Sequence, residues 1–169
     1  MINDAPSITE LVEKLGLEPH VEGGYFKQTF KAVDGHVIKT INGDRVTMTS
    51  IYYLLTAKSP IGHFHVNTSD IMHYFHAGDP ITYYLIHPNG DLETVVLGPD
   101  VMAGQKFQLV VKGGVWKASS ISKEGVYGYG LIGEAVSPGF EYTDMQLGKT
   151  QSLVKRFPQH RKLIEKMTR

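Results

Sequence analysis

The run Gly62-His63-Phe64-His65 places two imidazoles two residues apart in a segment rich in β-branched and aromatic residues. Side chains alternate faces along a strand, so this spacing predicts that His63 and His65 point the same way. Two neutral imidazoles on one face can hold a divalent metal, and one alone can give or take a proton near neutral pH. An isolated His-x-His pair also suits plain strand packing, so the residues around it decide between the two. If both histidines face an interior, the next strand presents Ile71, His73 and Phe75 on its inner side. Tyr52-Tyr53 and Tyr83-Tyr84 are adjacent pairs, so one hydroxyl of each points inward whatever the phase.

The elements that must position these residues are legible in outline. Ser7-Ile8-Thr9-Glu10 is a capping box, and the apolar spacing that follows predicts a helix over 8–15. Pro158 suits the first turn of a second helix, with Leu163, Ile164 and Met167 on one face. Everything between reads as β. Strands are predicted at 25–30, 36–41, 47–56, 71–75, 81–87, 92–97, 107–111, 115–121, 129–135 and 141–147, besides the His63 segment. Asn89-Gly90 between two of them is a strong hairpin signal. Many short antiparallel strands without helices between them imply an all-β sandwich or jelly-roll barrel, here one domain over 1–169.

Composition narrows the functions. Lys plus Arg and Asp plus Glu number 17 each, so the basic excess of a nucleic-acid binder is missing. No basic cluster suggests a membrane anchor, and no apolar run has the length of a membrane span. With no cysteine, disulfides, thiolate catalysis and zinc-finger ligation are excluded. Met1–Asp4 is polar and lacks the apolar core of a signal peptide, so the expected location is cytoplasmic.

Several stretches together resemble the cupins. The cupin first motif runs from a Gly through His-x-His and a Glu to a second Gly, and His63-Phe64-His65, position 71 and Gly78 fall in that frame. Gly104, Val111-Lys112-Gly113 and Trp116 look aligned with the second motif. His20-Val21-Glu22-Gly23-Gly24-Tyr25-Phe26, Ser50–Leu55, His76–Pro80, Leu97–Asp100 and Val136–Phe140 resemble an uncharacterised cupin family of bacteria and eukaryotes. The resemblance covers about 9–168 and implies a cupin double-stranded β-helix, short helices at both ends and a homodimer. It also implies a metal held by two His, a Glu and a third His. Here Ile71 stands at the Glu position and Trp116 at the third His. No metal cofactor is therefore expected; were one to bind, His63, His65 and His73 would hold it, with Gln108 offering an amide oxygen.

Two functional readings follow. Some sugar-nucleotide epimerases with the cupin fold need no metal, and the resemblance suggests His63 or His65 as the catalytic base beside a carbonyl, with an inward Tyr returning the proton. No carboxylate to orient that base is identifiable, since Asp70 adjoins position 71 and faces the other side. The alternative is a binding module, in which His63, His65, His73, Gln108 and Trp116 hold a small polar, cyclic ligand. A metal-dependent oxygenase is disfavoured by the missing Glu. Trp116 equally suits a core anchor. His20, His36 and His160 are read as surface residues, Gly23-Gly24 as a tight bend, and Asp79-Pro80 and Asp100 as turns.

Overall fold

The computed structural model describes residues 5–169; Met1–Asp4, read above for a leader, lies outside the described residues. In chain order the elements are α1 (Ile8–Leu15), β1 (Glu18–Pro19), β2 (Tyr25–Lys31), β3 (Ile38–Thr40), β4 (Gly43–Arg45), β5 (Thr49–Thr56), β6 (Ile61–Asn67) and β7 (Asp70–Gly78). They continue with β8 (Ile81–Ile86), β9 (Leu92–Leu97), β10 (Gln108–Val111), β11 (Trp116–Ser120), β12 (Tyr129–Ser137), β13 (Met145–Leu147), α2 (Thr150–Arg156) and α3 (Arg161–Met167). Among the described residues no helix is long and apolar enough to cross a membrane.

The strands form two antiparallel sheets, β1-β2-β5-β12-β7-β10 and β13-β6-β11-β8-β9, with β3-β4 as a separate hairpin. Neighbours far apart in sequence alternate between the sheets, which is the winding of a jelly roll. The β8-β9 hairpin closes at Asn89-Gly90, where the His87 N–H donates to the Asp91 carbonyl at 2.9 Å. The expected barrel with short helices at both ends of the chain is therefore present.

Alternation along the strands sorts side chains into three apolar layers. Tyr53, Leu55, Tyr83, Leu85 and Ile132 fill the space between the sheets. α1 is held by its capping box, with Ser7 Oγ accepting the Glu10 N–H at 3.2 Å and Glu10 Oε2 accepting the Ser7 N–H at 2.8 Å. It covers Leu54 and Leu131 on the outside of the six-stranded sheet. α2 and α3 cover Phe64, Ile86 and Trp116 on the outside of the five-stranded sheet.

Three local expectations change. The single C-terminal helix is two, α2 and α3, and Pro158 opens the short 3-10 turn between them. The strand expected over 141–147 starts as a 3-10 turn, Tyr142–Asp144, because Asp144 is drawn inward to a buried pair with Arg45, Nε to Oδ2 at 2.5 Å. Asp79 does more than turn the chain: its buried carboxylate accepts the backbone N–H groups of Tyr127 and Gly128 and clasps the loop before β12.

Candidate functional site

A cavity of about 350 Å³ opens between the two sheets. Each sheet contributes one cross-strand polar pair. On the six-stranded sheet His73 of β7 stands opposite Glu134 of β12. On the facing sheet His65 of β6 stands opposite Lys117 of β11. Lys117 reaches across the barrel, its Nζ donating to His73 Nε2 at 2.7 Å and lying 3.6 Å from Glu134 Oε1.

The loop between β1 and β2 adds His20 and Glu22. Gly23 and Gly24, with φ of +99° and +71°, make the bend that turns them inward, and a side chain on Gly23 would strike the Ile61 carbonyl. The bend is pinned by the His63 N–H to the Glu22 carbonyl at 2.7 Å and the Tyr53 hydroxyl to the Gly23 carbonyl at 2.8 Å. Glu22 Oε2 then sits 3.3 Å from His65 Nε2 and 3.6 Å from His20 Nδ1. Phe26, Ile51, Ile71, Val136 and Phe140 supply an apolar wall, and the buried Asn67 Oδ1 lines the cavity without a hydrogen-bond partner among the described residues.

Proton positions follow from the partners. His65 Nδ1–H donates to the His63 carbonyl at 2.8 Å, leaving Nε2 as an acceptor toward Glu22. His73 Nδ1–H donates to the Leu109 carbonyl at 3.2 Å, leaving Nε2 for Lys117. His20 Nδ1 accepts the Glu22 backbone N–H at 3.2 Å, so its proton is on Nε2. Burial pushes the Glu22 carboxyl up to about 8, and burial with the Lys117 charge brings His65 down to about 3. Burial lowers His20 to about 4. At neutral pH Glu22 is thus an acid whose O–H faces an unprotonated imidazole. Burial also acts to raise Glu134, but Lys117 and then His73 outweigh it and hold that carboxylate well below the usual range. The groups around the cavity thus comprise the Lys117–Glu134 ion pair and the proton shared by Glu22 and His65.

The predicted site residues divide. His65 lines the cavity, and His73 is fully buried behind it in contact with Lys117. His63 does not join them. Between β6 and β11 the register runs His65↔Lys117 and then Gly62↔Ser119, so His63 and Phe64 together oppose Ala118. That β-bulge breaks the two-residue alternation, brings Gly62 inward against Tyr53 and Ser119, and leaves His63 beside Met167 and Arg169. Gln108 is exposed because Leu109 and Val111 are the inward residues of β10. Trp116 faces outward under α2 and α3, and its neighbour Lys117 takes the inner face. Of the tyrosines, Tyr53 and Tyr83 point inward. Tyr53 is committed to Gly23, Tyr83 packs against His73 at 5.0 Å between ring centres, and burial raises both hydroxyls well above their ordinary value. Neither suits a proton donor.

Sequence reasoning missed Glu22, Lys117 and Glu134 and placed His20 at the surface. The available signal was a lone charge in each of two apolar β runs, Val115–Ala118 and Leu131–Val136. His160 is likewise half-buried, its Nε2 bonded to the Gly90 carbonyl at 2.8 Å.

The donor set does not fit the metal that a cupin resemblance implies. His73 Nε2 is taken by the Lys117 ammonium, His20 Nδ1 by the Glu22 N–H, and His63 stands outside the cavity. His65 Nε2, Glu22 and Glu134 remain, next to the Lys117 charge, and among the described residues no group of three His, Asp or Glu side chains is placed to hold a metal ion.

Comparison with known proteins agrees with the fold. The family model described as "Cupin superfamily (DUF985)" matches residues 9–148. An uncharacterised protein of Saccharomyces cerevisiae is 39% identical over 148 residues, covering 82% of this chain and 73% of the yeast protein. A hypothetical protein from Leishmania major superposes with a TM-score of 0.89 at 32% identity, over 96% of this chain and 99% of that one. A Shewanella oneidensis protein superposes at 0.86 with 34% identity, over 98% and 99%. Oxalate decarboxylase from Bacillus subtilis shares the fold alone, with a TM-score of 0.53 at 12% identity over 88% of this chain and 36% of that one.

Proposed function

Because the chain belongs to the cupin superfamily, in the family designated DUF985, we propose that its barrel cavity binds a small polar molecule and moves a proton on it. The reaction class is a metal-independent isomerisation or epimerisation next to a carbonyl, on a sugar-like substrate. One observation carries this reading: Glu22 Oε2 lies 3.3 Å from His65 Nε2 on the wall of a cavity of about 350 Å³.

The pair holds one mobile proton and two basic atoms. A substrate C–H proton passes to the Glu22 carboxyl while the Glu22 proton moves to His65 Nε2, leaving an enolate and an imidazolium. Return of the proton to the neighbouring carbon on the same face, with the substrate hydroxyl proton passing to the enolate oxygen, restores both residues and completes an isomerisation. An epimerisation follows when the enolate turns over in the cavity before the same pair returns the proton. The base is thus Glu22 backed by His65, in place of the histidine and tyrosine expected from sequence. The two titrate as a coupled pair, and the one-proton state persists between His65 at about 3 and Glu22 at about 8. Activity should therefore hold through neutral pH and fall as the pH passes about 8, where Glu22 loses its proton.

The test is ¹H NMR in D₂O with a panel of aldoses, ketoses and nucleotide-linked keto-sugars. Wild-type protein should wash out the signal of a C–H next to the carbonyl of at least one compound, and Glu22→Gln and His65→Ala should each abolish it. Exchange that survives both substitutions refutes the acid–base role. The apolar wall of Phe26, Ile51 and Phe140 favours the second reading, a receptor without chemistry. Thermal stabilisation by a panel member with no exchange selects it.

A further inference from the structure

We propose that the Lys117 ammonium permanently fills the position between His73 and Glu134 in which a divalent cation would otherwise be held. The inference rests on the reading of the cavity as the ligand site and is independent of any role for Glu22 and His65 in proton transfer.

Lys117 is 3% exposed and sits on the inner face of β11, directly opposite His65. Its Nζ is 2.7 Å from His73 Nε2 and 3.6 Å from Glu134 Oε1, and those two atoms are 3.3 Å apart. An imidazole nitrogen and a carboxylate oxygen converging on one buried cation is metal-ligand chemistry, here satisfied by an ammonium. The nitrogen lone pair a metal would need is already used, and a second cation a few ångströms from Nζ would be strongly repelled. Lys117 lines the cavity, and of its three N–H groups only one is used on His73. The remaining donors suit a ligand oxygen, so the side chain offers a carbonyl the positive charge that a metal would otherwise supply. Glu134 balances that charge, which makes an uncharged oxygen-rich ligand the better match than a carboxylate or phosphate.

Cobalt(II) is the probe, followed by equilibrium dialysis and visible absorption of the full-length protein. Wild type should take up no stoichiometric Co²⁺. Lys117→Ala, which frees His73 and Glu134, should bind it at least about a hundredfold more tightly than wild type, given two lost units of repulsion from a fixed neighbouring charge. Lys117→Met, which keeps the bulk, should behave the same way, Lys117→Arg should remain inert, and His73→Ala should cancel the gain. Stoichiometric uptake by wild type that His73→Ala removes overturns the proposal and needs no folded Lys117 variant. Folded Lys117→Ala and Lys117→Met proteins that bind no better than wild type also overturn it. Exchange that survives Glu22→Gln and His65→Ala, with intact metal gain in Lys117→Ala, would sink the acid–base reading and leave this one standing.

Discussion

Replacing Glu22 with glutamine is expected to stabilise the protein by an amount that grows with pH. The Glu22 carboxyl is raised by burial from 4.5 to about 8, so the folded protein holds a proton that the unfolded chain releases above about pH 4.5. Between those values the native state binds more protons than the unfolded state, and stability falls as pH rises. Integrating the shift gives a cost of roughly 1 kcal/mol at pH 5 and roughly 3 kcal/mol at pH 7. Glutamine removes the ionisation while its amide N–H can still donate to His65 Nε2. The difference between Glu22→Gln and wild type should therefore widen by about 2 kcal/mol from pH 5 to pH 7, or about 4–8 °C in Tm for a chain of this size. His65 and His20 have lowered folded values, so their contribution has the opposite sign: stability rises with pH as the unfolded histidines lose protons. Both proteins share that slope, and subtraction isolates Glu22. Urea unfolding at half-unit steps from pH 5 to 8 makes the measurement. Parallel stability profiles for the two proteins would show that Glu22 is ionised in the folded state, and the shared proton with His65 would be refuted.

Trp116→Ala should destabilise the protein by about 3–5 kcal/mol, because the indole is packed with Phe64, Ile86, Leu153 and Met167 beneath the C-terminal helices. The same variant, where folded, should retain D₂O exchange or ligand stabilisation, and loss of that response at an unchanged denaturation midpoint would place the indole in the site. Tyr53→Phe should cost about 1–2 kcal/mol by urea titration, since it leaves the Gly23 carbonyl without its buried donor. An unchanged midpoint would mean that the Gly23-Gly24 bend is held without it. Sedimentation at micromolar concentration should show a homodimer, because β10 ends the six-stranded sheet as an edge with Phe107 and Val110 exposed beside it. A monomer there refutes that expectation.

The barrel was legible because its signals are local. The capping box at Ser7, the Asn89-Gly90 turn and the β-rich runs each act within a few residues, and the structure places α1, β8 and β9 where those signals put them. The site was less legible because it depends on phase between strands. Extending the alternation from His65 to His63 fails at one bulge, and a one-residue choice on β10 and β11 exchanged Gln108 for Leu109 and Trp116 for Lys117. His20 and Glu22 reach the interior only through a bend whose direction is set by contacts with Ile61, His63 and Tyr53, all distant in sequence.

Charge burial offers a firmer route than phase to such a site. A Lys or Glu in the middle of an apolar strand is costly to desolvate, so each needs a partner on another strand. Lys117 and Glu134 fill that condition for one another, 17 residues apart in sequence and on opposite sheets. Replacing a buried ion pair by apolar side chains of similar volume is often neutral or stabilising. A barrel interior serving only as core would gain nothing from holding an ammonium, two carboxyl groups and three imidazoles around a cavity of about 350 Å³. Stability alone does not account for that arrangement, whereas donors, acceptors and a transferable proton facing one small cavity are what binding and reacting with a polar molecule require.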